Sequence, residues 1–240
     1  MIKKSVLLKA ALLFLPASFV NAQVSPDGKL QVTVKCEGGN PVYIVTYNGN
    51  QCMKASPLGL NTNIGDFTKG LSLTATSAVE TVKTDYTLYN IKRKDNHYEA
   101  NQQTYTFAKD GKDVLKAIFQ VSNSNVAFRY EILNSKKDAM CAVVNDEATG
   151  FFMNDETTTF ICPQMGEMTG FARTAPSYET HYAADEAMGR NGWGHGYTFP
   201  CLFKAPGNDG KPVWILVSQT GMNHYPGCKI VTNGAGNYKI

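Results

Sequence analysis

Few residues of this 240-residue chain combine the type and the spacing that chemistry needs. The four histidines, at 97, 181, 195 and 224, are scattered, and no two share a metal-ligand spacing on one element. Acids stand side by side at Asp155-Glu156 and Asp185-Glu186. Adjacent carboxylates in turns read as solvated surface, whereas a glycosidase needs two carboxyl groups facing one sugar bond. Six cysteines, at 36, 52, 141, 162, 201 and 228, include no Cys-x-x-Cys, which argues against zinc and thiol-redox chemistry. Cys36, Cys141 and Cys162 sit inside apolar runs and are expected to be buried small hydrophobes; a bridge is chemically allowed, and the sequence does not choose among the fifteen pairings of six cysteines. No Gly-x-Ser-x-Gly elbow, His-Glu-x-x-His pair, EF-hand loop or Walker loop occurs.

What stands out is the stretch from Gly166 to Gly196. It is the longest without strand alternation, and a loop of that length in a compact domain is usually functional or docked against something. Glu179 lies in its middle, flanked by Tyr178 and Thr180 rather than by a basic partner. Its default reading is a solvated carboxylate. Phe171, Tyr178, Tyr182, Trp193 and Tyr197 crowd the same stretch. Aromatic faces beside Asn and Glu suit sugar rings, whose apolar faces stack and whose hydroxyls need partners. The alternative for each ring is packing against this domain or a neighbouring one. Tyr178, Trp193 and His195 are the candidate sugar contacts. The run Asn191-Gly192-Trp193-Gly194-His195-Gly196-Tyr197 is glycine-rich but lacks the Lys-Ser/Thr ending of a phosphate loop. Ser177 predicts the cap of a short helix ending at Gly189.

The elements that must position these residues are strands. Residues 1–22 read first as a targeting segment: Lys3 and Lys4, an apolar run from Val6 to Val20, then Val20-Asn21-Ala22, with cleavage expected after Ala22. The run is too short for a membrane span, which needs about 20 apolar residues. No membrane association is expected after cleavage, and the location is periplasmic or secreted. Removing the segment takes away three lysines and no acid, leaving twenty basic and twenty acidic residues. A neutral chain with interspersed charges gives no electrostatic ground for nucleic-acid binding.

From residue 23 onward, Leu30, Val32, Val34 and Cys36 alternate with Gln31, Thr33 and Lys35, the period-2 pattern of a half-buried strand. Asn48-Gly49 and Asp110-Gly111 are hairpin signals between apolar runs. Further β-rich runs cover Val42–Tyr47, Gln51–Leu60 (broken by Pro57), Thr84–Ile91, Tyr98–Phe107, Val114–Val121, Val126–Leu133, Thr157–Ile161, Phe199–Phe203, Val213–Val217 and Cys228–Val231. More than ten strands with turn signals every 8–12 residues predict one all-β domain, a large antiparallel sandwich over residues 23–240. The chain stops as Tyr238-Lys239-Ile240 begins an apolar–polar alternation, which predicts a fragment cut as a strand starts.

Five motifs recur in a set order: Ser25-Pro26-Asp27-Gly28-Lys29-Leu30, the Tyr43–Tyr47 hairpin entry, Ser56-Pro57-Leu58-Gly59-Leu60, Ala127-Phe128-Arg129-Tyr130-Glu131 and Pro176-Ser177-Tyr178-Glu179. Together they resemble the N-terminal domain of glycoside hydrolase family 97, exported α-glucosidases and α-galactosidases. The resemblance implies a galactose-mutarotase-like super-β-sandwich, here with one long irregular loop near 166–196. It also implies a following (β/α)₈ catalytic barrel, missing from this chain, that carries the catalytic residues. The family has calcium-dependent members in which one glutamate ligand comes from the N-terminal domain, and that position matches Glu179. Calcium takes 6–8 oxygen ligands, so Glu179 would contribute only once the barrel supplies the others. The implied function is an active-site cap of a calcium-dependent α-glycosidase acting on an α-linked oligosaccharide, inactive alone. The alternatives are a free-standing exported carbohydrate-binding sandwich, or a mutarotase-like enzyme in which His181 or His195 meets a carboxylate.

Overall fold

The computed structural model describes residues 22–133, 141–166, 181–222 and 227–240. It is an all-β domain, as the alternation predicts. The first sheet runs in the order β1 (Gln23–Val24), β2 (Leu30–Glu37), β3 (Asn40–Tyr47), β4 (Asn50–Pro57), all antiparallel. Asn48 and Gly49 both take positive φ, 48° and 73°. That is the twist a two-residue hairpin needs to match its strands, and Asn and Gly tolerate it. Asp110-Gly111 repeats the device at 50° and 74°. It joins β9 (Asp95–Lys109) to β10 (Lys112–Ser122) in a second, five-stranded sheet, which β7 (Ser72–Thr76), β8 (Glu80–Thr87) and β11 (Val126–Ile132) complete.

These two sheets face each other. Val32 and Val34 from β2 and Tyr43 from β3 meet Tyr105, Phe107, Leu115, Ala117, Phe119 and Val121 from β9 and β10 in one buried cluster. Each buried Val, Leu or Phe among them stabilises the fold by roughly 1.5–3 kcal/mol. Polar stitches fix the register. Gln23, fully buried, donates its amide to the carbonyls of Asn101 (2.6 Å) and Phe119 (3.1 Å). The Tyr43 hydroxyl donates to the Gly150 carbonyl at 2.9 Å.

A small sheet of β5 (Leu60–Thr62), β6 (Gly65–Asp66) and β12 (Val144–Glu147) closes one end. The second half of the chain adds a sheet in the order β13 (Gly150–Phe151), β20 (Tyr238–Lys239), β19 (Lys229–Thr232), β16 (Tyr197–Thr198). A Met53–Met153 bridge ties the segment after β13 to β4. The short β20 pairs with both β13 and β19 and is an interior strand rather than an edge. The last sheet, β15 (Ala183–Ala187), β14 (Thr158–Ile161), β17 (Cys201–Ala205), β18 (Val213–Val217), packs its inner face on the common core through Ile161, Cys201, Phe203 and Val217.

The helix predicted to end at Gly189 is corrected by β15. Ala183–Ala187 pairs with the edge of β14, Thr158 opposite Ala187 and Thr159 opposite Glu186. Ala and Glu favour helix locally, but the open edge of β14 offers a full set of backbone partners, and tertiary pairing overrides a weak propensity. Thus part of the expected irregular loop is sheet. Residues 167–180, including Ser177, lie outside the described residues. Cys52, Cys162 and Cys201 are buried, Cys36 half-buried; Cys141 is exposed, contrary to expectation, because its segment runs along the surface beside Asn63. Among the described residues no helix is long and apolar enough to cross a membrane.

Several surface carboxylates are held below the usual range: Asp27 by hydrogen bonds from Ser25 and the Lys29 amide, Asp66 by bonds from Thr68, and Glu99 by Lys83. A carboxylate with a depressed folded pKa contributes stability above its ordinary value near 4, and that contribution fades as pH falls through the folded value. His97, raised chiefly by its bond to Asp85, has the opposite sign: its contribution is full below about 6.5 and fades as pH rises. The urea midpoint is therefore expected to drop between pH 5 and pH 3. An acid-insensitive midpoint over that range contradicts this assignment.

Candidate functional site

Of the predicted site residues, Trp193 and His195 lie on one built turn, and Tyr178 and Glu179 lie outside the described residues. The turn is Asn191–Gly196, entered after β15 and left into β16. Backbone bonds from Gly194 (3.1 Å) and Gly196 (3.3 Å) to the Asn191 carbonyl, and from His195 to the Gly192 carbonyl (3.0 Å), close it. The Gln164 amide donates to the Gly196 carbonyl at 2.8 Å, and Pro163 bridges Tyr197, so the turn is latched to the exit of β14.

Its glycines have geometric causes. A Cβ on Gly196, at φ +83°, would fall 2.4 Å from the Ile230 carbonyl oxygen; one on Gly192 would press on the Tyr197 ring. Gly166 leaves the space that His195 fills: a Cβ there would sit 2.7 Å from His195 Nε2. Between these glycines Trp193 takes φ 55°, ψ 24° and remains 60% exposed. A bulky residue in the left-handed region stores of order 1–3 kcal/mol, and such outliers cluster at ligand sites. A large ring held out on a strained, over-determined turn is a platform rather than a core residue. Gly196→Ala is expected to destabilise the fold by about 2–4 kcal/mol through this clash and φ, read as a lowered melting temperature with a shifted tryptophan emission. A variant that melts with wild type would show the turn to be loosely packed.

The other aromatics of the stretch divide. Tyr197 is buried edge-on against Tyr238 (5.6 Å between centroids) and belongs to the core, not to a sugar surface. Tyr182 stacks on Phe160 at 4.8 Å, both about half exposed. Phe171 lies outside the described residues. Asp185, in the left-handed region at φ 54°, bulges β15 toward its neighbours: it accepts from Thr158 Oγ1 and Lys204 Nζ, both at 2.9 Å, and Lys204 foremost keeps its carboxyl low.

Among the described histidines, the one that meets carboxylates is one that spacing alone did not single out. His97 Nδ1 lies 2.6 Å from Asp85 and Nε2 3.6 Å from Glu99, beside a shallow groove of about 410 Å³ on the β8–β9 hairpin. Cross-strand register, with Asp85 opposite His97, makes the pair, and Asp85 at twelve residues' distance gave no local signal. It is a solvated surface pair, not a pocket. Burial beside Cys162 pushes the Cys201 thiol up to about 12, which makes it an inert thiol rather than a nucleophile. Among the described residues no group of three or more His, Cys, Asp or Glu could hold a metal. Glu179, the predicted calcium ligand, lies outside the described residues.

The described residues form an all-β domain of several antiparallel sheets, with aromatic side chains exposed on the Asn191–Gly196 turn and on one sheet face. The sequence profile described as "Glycosyl-hydrolase 97 N-terminal" matches residues 24–240, and the chain belongs to that family. Among solved structures it is similar to a beta-arabinopyranosidase, at 44% identity and a TM-score of 0.82, over 91% of this chain and 34% of that one. It also resembles in fold a glycoside hydrolase family 97 enzyme from Pseudoalteromonas sp. strain K8, solved with panose and with acarbose. There the identity is 20%, the TM-scores are 0.74 and 0.73, and the match covers 91% of this chain and 31% of that one. The chain thus spans about a third of the length of these solved relatives. No curated protein matches it.

Proposed function

We propose that this chain is the N-terminal domain of an exported, calcium-dependent glycosidase acting on α-linked oligosaccharides, with its catalytic groups on a following barrel. The observation that carries the reading is the family match across residues 24–240, joined to the exposed Trp193 on its strained turn. In this reading Trp193 and His195 line the sugar entrance with Tyr178, and Glu179 is one calcium ligand among several supplied from the barrel. Calcium would organise the sugar-binding end; this chain's own residues bind and orient. The basic, then apolar start of the sequence supports export to the periplasm or beyond, with cleavage after Ala22.

The 44% identical beta-arabinopyranosidase favours one substrate geometry. In the L series, a β-arabinopyranoside has the ring stereochemistry of an α-galactoside without its hydroxymethyl group. An α-galactoside or β-arabinopyranoside therefore ranks ahead of an α-glucoside. The test is a panel of nitrophenyl α-galactoside, β-L-arabinopyranoside and α-glucoside, offered to the gene product continuing past Ile240 and to residues 23–240 alone. Turnover by the longer protein only, greatest on the first two, is expected. Turnover by residues 23–240 alone would overturn the assignment of catalysis to another domain.

A further inference from the structure

We infer that the outer face of the β15–β14–β17–β18 sheet is the surface on which the following catalytic domain of the same polypeptide docks; this rests on the reading of the chain as one part of a longer glycosidase. The sheet is apolar on both sides. Its inner face enters the core through Ile161, Cys201 and Phe203. On its outer face the register sets Phe160 opposite Leu202 and Leu202 opposite Leu216, with Trp214 opposite Lys204 in the next row. Phe160, Tyr182, Trp214 and Leu216 are 42–62% exposed. A sheet apolar on both faces calls for a layer on each.

The polar groups of this face already satisfy one another. Lys204 pairs with Asp185 and lies 6.0 Å over the Trp214 ring, and Thr158 donates to Asp185. Covering them strands no charge. At roughly 200 Å² for a whole large side chain, the four exposed residues present about 400 Å² of apolar surface, within the roughly 300–600 Å² of the largest patch on a typical monomer, which is often functional. That is about half of what one partner of a standard interface buries. Length names the occupant: the 44% identical relative has about two thirds of its chain outside the third that this one matches, and the matching family model is N-terminal.

Hydroxyl-radical footprinting tests this on the gene product continuing past Ile240, against residues 23–240. Labelling of Trp214 and Tyr182 is expected to fall at least five-fold in the longer protein, while Tyr89 on the β8–β9 hairpin stays equally reactive. Trp214→Lys with Leu216→Lys should leave the melting temperature of the short chain within a few degrees, yet split the unfolding of the longer protein into two transitions. Equal Trp214 labelling in both proteins overturns the proposal. So does protection in the short chain that dilutes away, which marks a second copy, or that appears on adding a maltooligosaccharide, which marks a sugar surface. A reading frame that closes after Ile240 overturns it too. An active long enzyme with Trp214 still reactive would sink the docking face and leave the proposed function standing.

Discussion

Phe119→Ala is expected to lower stability by about 3–5 kcal/mol, seen as a urea midpoint far below wild type and a melting temperature lower by about 10 °C. Phe119 is fully buried on β10. Its ring stacks on Phe128 at 4.9 Å, meets Tyr105 edge-on at 5.9 Å and reaches Tyr43 of the opposing sheet at 5.9 Å. The side chain therefore joins the two sheets, and its loss removes transfer free energy and leaves a cavity lined by rigid rings. Those rings belong to hydrogen-bonded strands and cannot collapse into the gap; Tyr43, for one, is tethered through its hydroxyl to Gly150. Trp214→Ala, on the exposed outer face, is the control: in the chain alone its cost should stay within about 0.5 kcal/mol. A Phe119→Ala loss below 1 kcal/mol would mean that the sheets do not pack at this point.

Strands with a one-sided pattern were readable. Leu30, Val32 and Val34 alternate in the sequence and point inward in the structure, and the two hairpins with positive φ carry the Asn-Gly and Asp-Gly pairs that permit it. β15 was not readable, because Ala183-Ala184-Asp185-Glu186-Ala187 has no alternation and becomes a strand through the edge of β14. Aromatic content likewise marked the 166–196 stretch without sorting it. Tyr197 and Trp193 are four residues apart, yet one is core and the other is displayed, and the sorting comes from the backbone: left-handed φ at Trp193, and the β16–β19 pairing at Tyr197. The alternating glycines were the available signal, since each marks a place where the chain presses on a neighbour or turns left-handed. The Asp85–His97 pair depends wholly on register across a hairpin. Glu179 and Tyr178 remain readings from motif and family.

Glu179→Gln is expected to give the largest functional change available from this chain. The substitution keeps shape and one carbonyl oxygen but removes the negative charge, so it separates ligation from packing. A single carboxylate supplies at most two of the 6–8 oxygens calcium takes, and no acidic group among the described residues assembles the rest. Residues 23–240 alone should therefore show no sub-micromolar calcium binding by calorimetry; such binding would refute a site shared between domains. If Glu179 is a ligand as proposed, its loss in the gene product continuing past Ile240 should weaken calcium binding by at least the roughly ten- to hundred-fold typical of losing a group that only supports a ligand. Activity at limiting calcium should fall in parallel and partly return at high calcium. The rise in melting temperature on adding calcium should shrink as well, because ligand stabilisation follows the ratio of concentration to dissociation constant. That thermal readout does not depend on catalysis, so a damaged active site and a weakened metal site give different patterns. Should activity, calcium response and melting all match wild type, Glu179 is no calcium ligand and the proposed shared site falls.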